Sequence, residues 1–148
     1  MCWLDKLFGV SGVERPSPGD WVKEDAIAKW AESIAWQDLN VVLSQKPKLW
    51  IPMIPDTNSM DGVFDYGNNN ILIAGTNEDD HKKIIDFIKV GDIAVYRTPD
   101  IYAIHRVVKI GNDAQGKYFK FKGDNNTIED AGLIRENQIE WVSVGVIY

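Results

Sequence analysis

Serine, histidine and aspartate occur here, in that order, in settings from which they could pass a proton among themselves. Ser59 stands in Asp56-Thr57-Asn58-Ser59-Met60-Asp61-Gly62, directly after the apolar run Leu49-Trp50-Ile51-Pro52-Met53-Ile54-Pro55. Proline fixes φ and lacks an N–H donor, so that run reads as an irregular or edge strand that then turns. A serine held at such a turn can point its hydroxyl into a cleft as a nucleophile, or simply stabilise the turn. His105 lies in Tyr102-Ala103-Ile104-His105-Arg106-Val107-Val108, which reads as a strand. Asp124 and Asp130 lie in the polar loop that follows Phe119 to Lys122. A serine hydroxyl is a poor nucleophile until a base takes its proton, and histidine titrates near ~6.5, where it can take and return one. A carboxylate would fix the imidazole tautomer and stabilise the imidazolium. Either aspartate has the right chemistry, although Asp124-Asn125-Asn126 also reads as an Asx-type turn.

The other polar clusters are less suggestive. His81 lies in Glu78-Asp79-Asp80-His81-Lys82-Lys83, which reads as a solvated charge run. It lacks the closed Cys/His spacing of a structural zinc site, so neither a metal nor a cofactor is expected. Arg106 follows His105 on the strand and should face the opposite side, as a surface or loop-anchoring residue.

Composition narrows the function classes. The chain has 148 residues, with 16 Lys and Arg against 22 Asp and Glu, a formal charge of −6. That acidic balance argues against nucleic-acid binding, which needs a basic face. Cys2 is the single cysteine, so no internal disulfide forms. No apolar run reaches the ~20 residues of a membrane span, and no basic leader with a long apolar stretch opens the chain. The expectation is a soluble protein, cytoplasmic or peripheral to a membrane.

Two segments must supply and position these residues. Residues 1–45 read as an N-terminal helical segment. Trp3, Leu4, Leu7 and Phe8 share one face of a short helix, suited to docking on the body or to contact with a membrane surface or partner. After a linker rich in Gly and Pro, Asp20 is a plausible N-cap for a helix to about Gln37, with the stripe Val22, Ala26, Ile27, Trp30 and Ile34. Trp21, Trp30 and Trp36 read as packing residues, and Leu39 to Leu43 fits either state. Residues 46–148 read as a β-rich domain. Strands are expected at 70–74, 93–97, 101–110, 117–122 and 139–148, with a hairpin loop at 111–116. One helix starts within 76–80 and buries Ile84, Ile85 and Ile88. The fold class is mainly β with N-terminal helices, its short strands arranged around a partly closed barrel.

Four blocks, in order, resemble the signal peptidase and LexA-like superfamily of serine peptidases. They are Ser59-Met60 with Phe64 and Gly67; Val90-Gly91-Asp92-Ile93-Ala94-Val95-Tyr96; Ile104-His105-Arg106-Val107-Val108; and Lys122-Gly123-Asp124-Asn125-Asn126 with Asp130 and Gly132-Leu133. The resemblance covers roughly residues 50 to 147. It is closest to the archaeal and eukaryotic type of signal peptidase catalytic subunit, which uses histidine where bacterial members use lysine. It implies Ser59 as nucleophile, His105 as general base, and Asp130 as the carboxylate that orients it, with Asp124 the competing choice. It further implies an oxyanion hole made by the Ser59 backbone N–H and the Thr57 hydroxyl. The chain departs from the pattern at Gly62, where proline is usual. It also carries extra residues at Asn69-Asn70 and a longer stretch from Gly75 to Lys89, and shows no transmembrane anchor.

The function expected is therefore that of a serine endopeptidase with a Ser59-His105-Asp130 triad. Its substrate would be an extended protein or peptide segment laid against the edges near Ile51 to Ile54 and His105. Two other readings stay open. One is a catalytically silent β module that binds a protein partner or joins a larger particle. The other is a self-processing LexA-like protein, for which Ala74-Gly75 is poorly placed because such proteins cut upstream of their serine.

Overall fold

The computed structural model describes residues 43–147. The helices expected at Trp3 to Phe8 and Asp20 to Gln37, the 1–45 segment as a unit, and the packing of Trp21, Trp30 and Trp36 lie outside the described residues. From residue 43 onward the chain is β-rich, as expected. Strands β1 (Lys48–Trp50), β2 (Asn69–Ala74), β3 (Ile93–Arg97), β4 (Tyr102–Asp113), β5 (Gly116–Lys122), β6 (Ile134–Arg135) and β7 (Ile139–Ile147) form one seven-stranded sheet. Their order is β1-β2-β7-β3-β4-β5-β6, and every pairing is antiparallel. The sheet is not closed, so β1 and β6 form its two edges.

Alternation along the strands builds one apolar cluster, and the loop between β1 and β2 contributes most of a second. The larger gathers Ile73, Ala94, Tyr96, Val107, Phe119, Phe121, Ile139 and Val142, covered by Ile84, Ile85 and Ile88 of helix α1 (Glu78–Asp86) and the turn after it. The smaller comprises Ile54, Met60, Phe64 and Ile93. Strand pairing and turn chemistry fix where these segments end. The hairpin loop expected at 111–116 is tighter than that, because β4 and β5 pair as far as Asp113 and Gly116 and leave Ala114-Gln115 at the tip. Gly116 has φ +103°, a conformation that glycine adopts without a Cβ clash.

The charge run at 78–83 is only partly solvated. Asn77 caps α1 by accepting the Asp80 N–H at 2.8 Å. Asp80 is buried, accepting the Ser44 N–H at 2.9 Å and the Ser44 hydroxyl at 2.6 Å. Those Ser44 bonds, with help from Lys83 and Asn77, outweigh burial and hold the Asp80 carboxyl well below the usual carboxylate range. His81 Nδ1 accepts the Gly75 N–H at 3.2 Å, so Nε2 carries the proton donated to Ile139 O at 2.9 Å. His81 thus ties α1 to the sheet, and among the described residues no cluster of potential ligands could hold a metal.

Candidate active site

Ser59 is positioned by the residue after it. Met60 is 3% exposed and locked in the smaller apolar cluster, while its carbonyl accepts the N–H groups of Val63 at 3.1 Å and Phe64 at 3.2 Å. The chain therefore makes a helical turn immediately beyond the serine. Asn58 has φ +56°, a left-handed conformation that asparagine tolerates better than most residues. Gly62 has φ +91°, which proline, with φ fixed near −65°, cannot adopt. The departure at Gly62 thus belongs to a differently shaped turn.

The loop after β5 clamps this turn. The Asn125 N–H donates to Ser59 O at 2.9 Å, and Asn125 Nδ2 donates to Asn58 O at 2.8 Å. The Asp124 N–H reaches Met60 Sδ at 3.3 Å. Gly123 lies so close that a Cβ added there would stand 2.6 Å from Ser59 O. The Asp124 carboxylate turns away from the histidine. It accepts Arg106 Nε at 2.8 Å and Nη2 at 2.6 Å, while Arg106 Nη1 donates to Gly91 O at 2.6 Å. The structure thus brings Asp130, and not Asp124, to His105. The forked guanidinium consumes both carboxylate oxygens of Asp124.

His105 is carried on β4, where it pairs with Ala94 of β3. Its ring bridges the two partners: Nε2 is 3.0 Å from Ser59 Oγ, and Nδ1 is 2.6 Å from Asp130 Oδ2. The two side chains of the His105–Asp130 pair are 13% and 16% exposed. A carboxylate only accepts, so Nδ1 carries the proton and Nε2 presents its lone pair to the serine hydroxyl. Ser59 then donates to Nε2. The Thr57 hydroxyl, 3.2 Å from Ser59 Oγ, is left to donate to the serine oxygen. Burial pushes the Asp130 carboxyl up, but the hydrogen bond and charge of His105, then Tyr96 and Lys120, pull it down by more, leaving it below the usual range.

Tyr96 was not anticipated from the sequence. Its hydroxyl donates to Asp130 Oδ2 at 2.8 Å, onto the oxygen that also accepts from His105. A usable signal existed, since a tyrosine buried in a strand needs a partner for its hydroxyl. The anchoring roles of Asn125 and Gly123 were likewise not visible in advance.

A serine, a histidine and a carboxylate thus stand aligned in hydrogen-bond reach on an antiparallel scaffold, an arrangement shared with serine-histidine-aspartate hydrolases. Comparison with known proteins finds similar chains. The chain is 32% identical over 108 residues to the signal peptidase complex catalytic subunit SEC11 of Debaryomyces hansenii, covering 71% of this chain and 58% of the relative. It is 35% identical over 107 residues to the human putative signal peptidase complex catalytic subunit SEC11B, covering 70% and 57%. It is 31% identical over 106 residues to human SEC11C, covering 70% and 50%. These similarities support the signal peptidase superfamily as the family of this chain. It spans little more than half the length of these curated relatives. No family model and no solved structure matches it. Among the described residues no helix is long and apolar enough to cross a membrane.

Proposed function

We propose that this chain is a serine endopeptidase of the signal peptidase type, with Ser59 as nucleophile, His105 as general base and Asp130 as its orienting carboxylate. One observation carries the reading: the His105 ring lies between Ser59 Oγ at 3.0 Å and Asp130 Oδ2 at 2.6 Å. The relatives, named as catalytic subunits of signal peptidase complexes, support the reaction class.

The steps follow from that geometry. Ser59 Oγ attacks the scissile carbonyl carbon while His105 Nε2 takes the hydroxyl proton. The oxyanion accepts hydrogen bonds from the Ser59 N–H and from the Thr57 hydroxyl, which lies close to Oγ and swings from it to the new charge. His105 returns its proton to the departing amine as the C–N bond breaks, leaving an acyl-serine. Water then attacks that ester and gives a proton to Nε2, which returns it to Ser59 Oγ as the acyl C–O bond breaks and the new carboxyl terminus leaves. Asp130 keeps the imidazolium oriented throughout and remains ionised.

An extended substrate suits the scaffold. The ladder between β4 and β5 begins at Arg106 and Lys122, so Tyr102 to His105 lie beyond its end on that side. Across the cleft, Pro52 to Ile54 bond residues 68–70 along one edge. A peptide adding to these segments would bring its carbonyl to Ser59 through backbone pairing.

A fluorophosphonate probe and a peptide library test the reading. Wild-type protein should take one label at Ser59 and cut peptides in trans, and Ser59→Ala should lose both while keeping its melting temperature. Wild-type protein that takes no label and cuts no peptide would leave a silent binding module. Loss of mass on prolonged incubation without cleavage in trans would mark self-processing.

A further inference from the structure

We propose that Tyr96 is a positioning residue for this site, its hydroxyl fixing the rotamer of Asp130 so that Oδ2 faces the His105 Nδ1–H. The inference rests on the peptidase reading of Ser59, His105 and Asp130, and adds a fourth side chain to it.

Burial makes the contact obligatory. Tyr96 is 3% exposed, its ring 4.5 Å from Phe121 and edge-on to His105 at 6.5 Å. A phenol hydroxyl left unpaired there would cost about 1–3 kcal/mol. Its partner is Asp130 Oδ2, on a residue 34 positions away. Burial, then the Asp130 charge and hydrogen bond, push the phenol pKa up, so the hydroxyl stays a donor wherever the site could work.

Asp130 needs such a donor. It sits in the loop that follows β5, where its N–H donates to Phe121 O at 2.9 Å and its carbonyl accepts Lys120 Nζ at 3.3 Å. Those contacts hold the main chain and leave the carboxylate free to rotate. Lys120 also faces Glu129 at 3.7 Å, so its charge is shared. Tyr96 comes from β3, a rigid strand lying between β4 and β7. It therefore references the carboxylate to the same strand pair that carries His105. Two donors on one oxygen, at 2.8 Å and 2.6 Å, select a single orientation and draw charge from it.

The test is Tyr96→Phe, which keeps the ring and removes one oxygen. Two readouts are followed: the rate–pH profile of fluorophosphonate labelling at Ser59, and the low-field NMR resonance of the His105 Nδ1 proton, which requires no turnover. The variant should label about 10-fold more slowly, the loss expected from one charge-assisted hydrogen bond. The acid limb of its profile should move to lower pH, because a carboxylate that no longer aims Oδ2 at Nδ1 stabilises the imidazolium less. The Nδ1 resonance should shift and exchange faster with water. Wild-type rate, profile and resonance in a folded Tyr96→Phe protein would overturn the inference and reduce Tyr96 to packing. If wild-type protein takes no label but the resonance still responds to Tyr96→Phe, the peptidase reading fails and the positioning contact stands.

Discussion

Gly123→Ala is the sharpest probe of how the serine is held. The added methyl would lie 2.6 Å from Ser59 O and 2.6 Å from Asn126 Nδ2. The asparagine amide can rotate away, but the serine carbonyl is backbone and moves only with the turn. Ordinary contact begins at 3.4 Å, so the two segments must separate by about 0.8 Å. The Asn125 N–H to Ser59 O bond, now 2.9 Å, would be strained by that separation. Overpacking of this kind costs about 1–3 kcal/mol of stability, and misplacing a reacting group by about 1 Å costs on the order of 100-fold in rate. Gly123 does not lie in the left-handed region, so alanine carries no backbone penalty and the effect isolates the contact.

The assay is the second-order rate of Ser59 labelling, read beside the melting temperature. We expect a rate loss on the order of 50- to 100-fold with a melting temperature several degrees lower, and a fold otherwise intact by circular dichroism. A folded Gly123→Ala protein that labels at the wild-type rate would refute the claim that the Gly123 loop sets the serine position. The site would then be held by Met60 burial alone.

Other perturbations address the neighbouring contacts. Ser59→Ala should lower cleavage by at least about 10³-fold with little change in melting temperature, since one half-buried hydroxyl is removed. Arg106→Lys cannot reproduce the two parallel bonds to Asp124, and should cost about 1 kcal/mol in denaturant melts and slow labelling several-fold. Asp80 has a lowered carboxyl pKa, so its stabilisation is complete above about pH 4 and vanishes as pH falls through the folded value. Melting temperatures of wild type and Asp80→Asn should therefore be well separated at pH 7 and converge towards pH 2. A gap that stays constant with pH would refute the Ser44 anchoring.

The sequence made some of this legible, and the reasons differ by residue. Strand β3 is legible with its observed bounds because Ile93-Ala94-Val95-Tyr96-Arg97 is a β-favouring run between two turns. The helix that buries Ile84 and Ile85 was legible from its spacing. The choice between Asp124 and Asp130 was not legible from residue chemistry. Both are carboxylates in one loop, and what separates them is tertiary: Arg106 reaches one, while His105 and Tyr96 reach the other. The burial of Asp80 was hidden for a similar reason, since its partner Ser44 lies 36 residues away. Period-2 alternation predicts which face a strand residue takes but not which strand lies beside it.

One strand accounts for much of the site. Successive side chains on β4 point to opposite faces, so His105 and Arg106 cannot serve the same partner. His105 turns to the face shared with Tyr96 and meets Asp130. Arg106 turns the other way and grips Asp124, whose loop holds the serine turn through Asn125. A one-residue slip of β4 against β3 would exchange these faces and break both connections at once. The bulge in the β4–β5 ladder between Val107 and Lys109 falls beyond this pair, leaving the β3–β4 register regular from Ile93 and Arg106 to Arg97 and Tyr102. The proposed nucleophile and its proposed base are thus tied to the same strand, the base directly and the nucleophile through a loop, and their 3.0 Å separation is a property of the sheet's register.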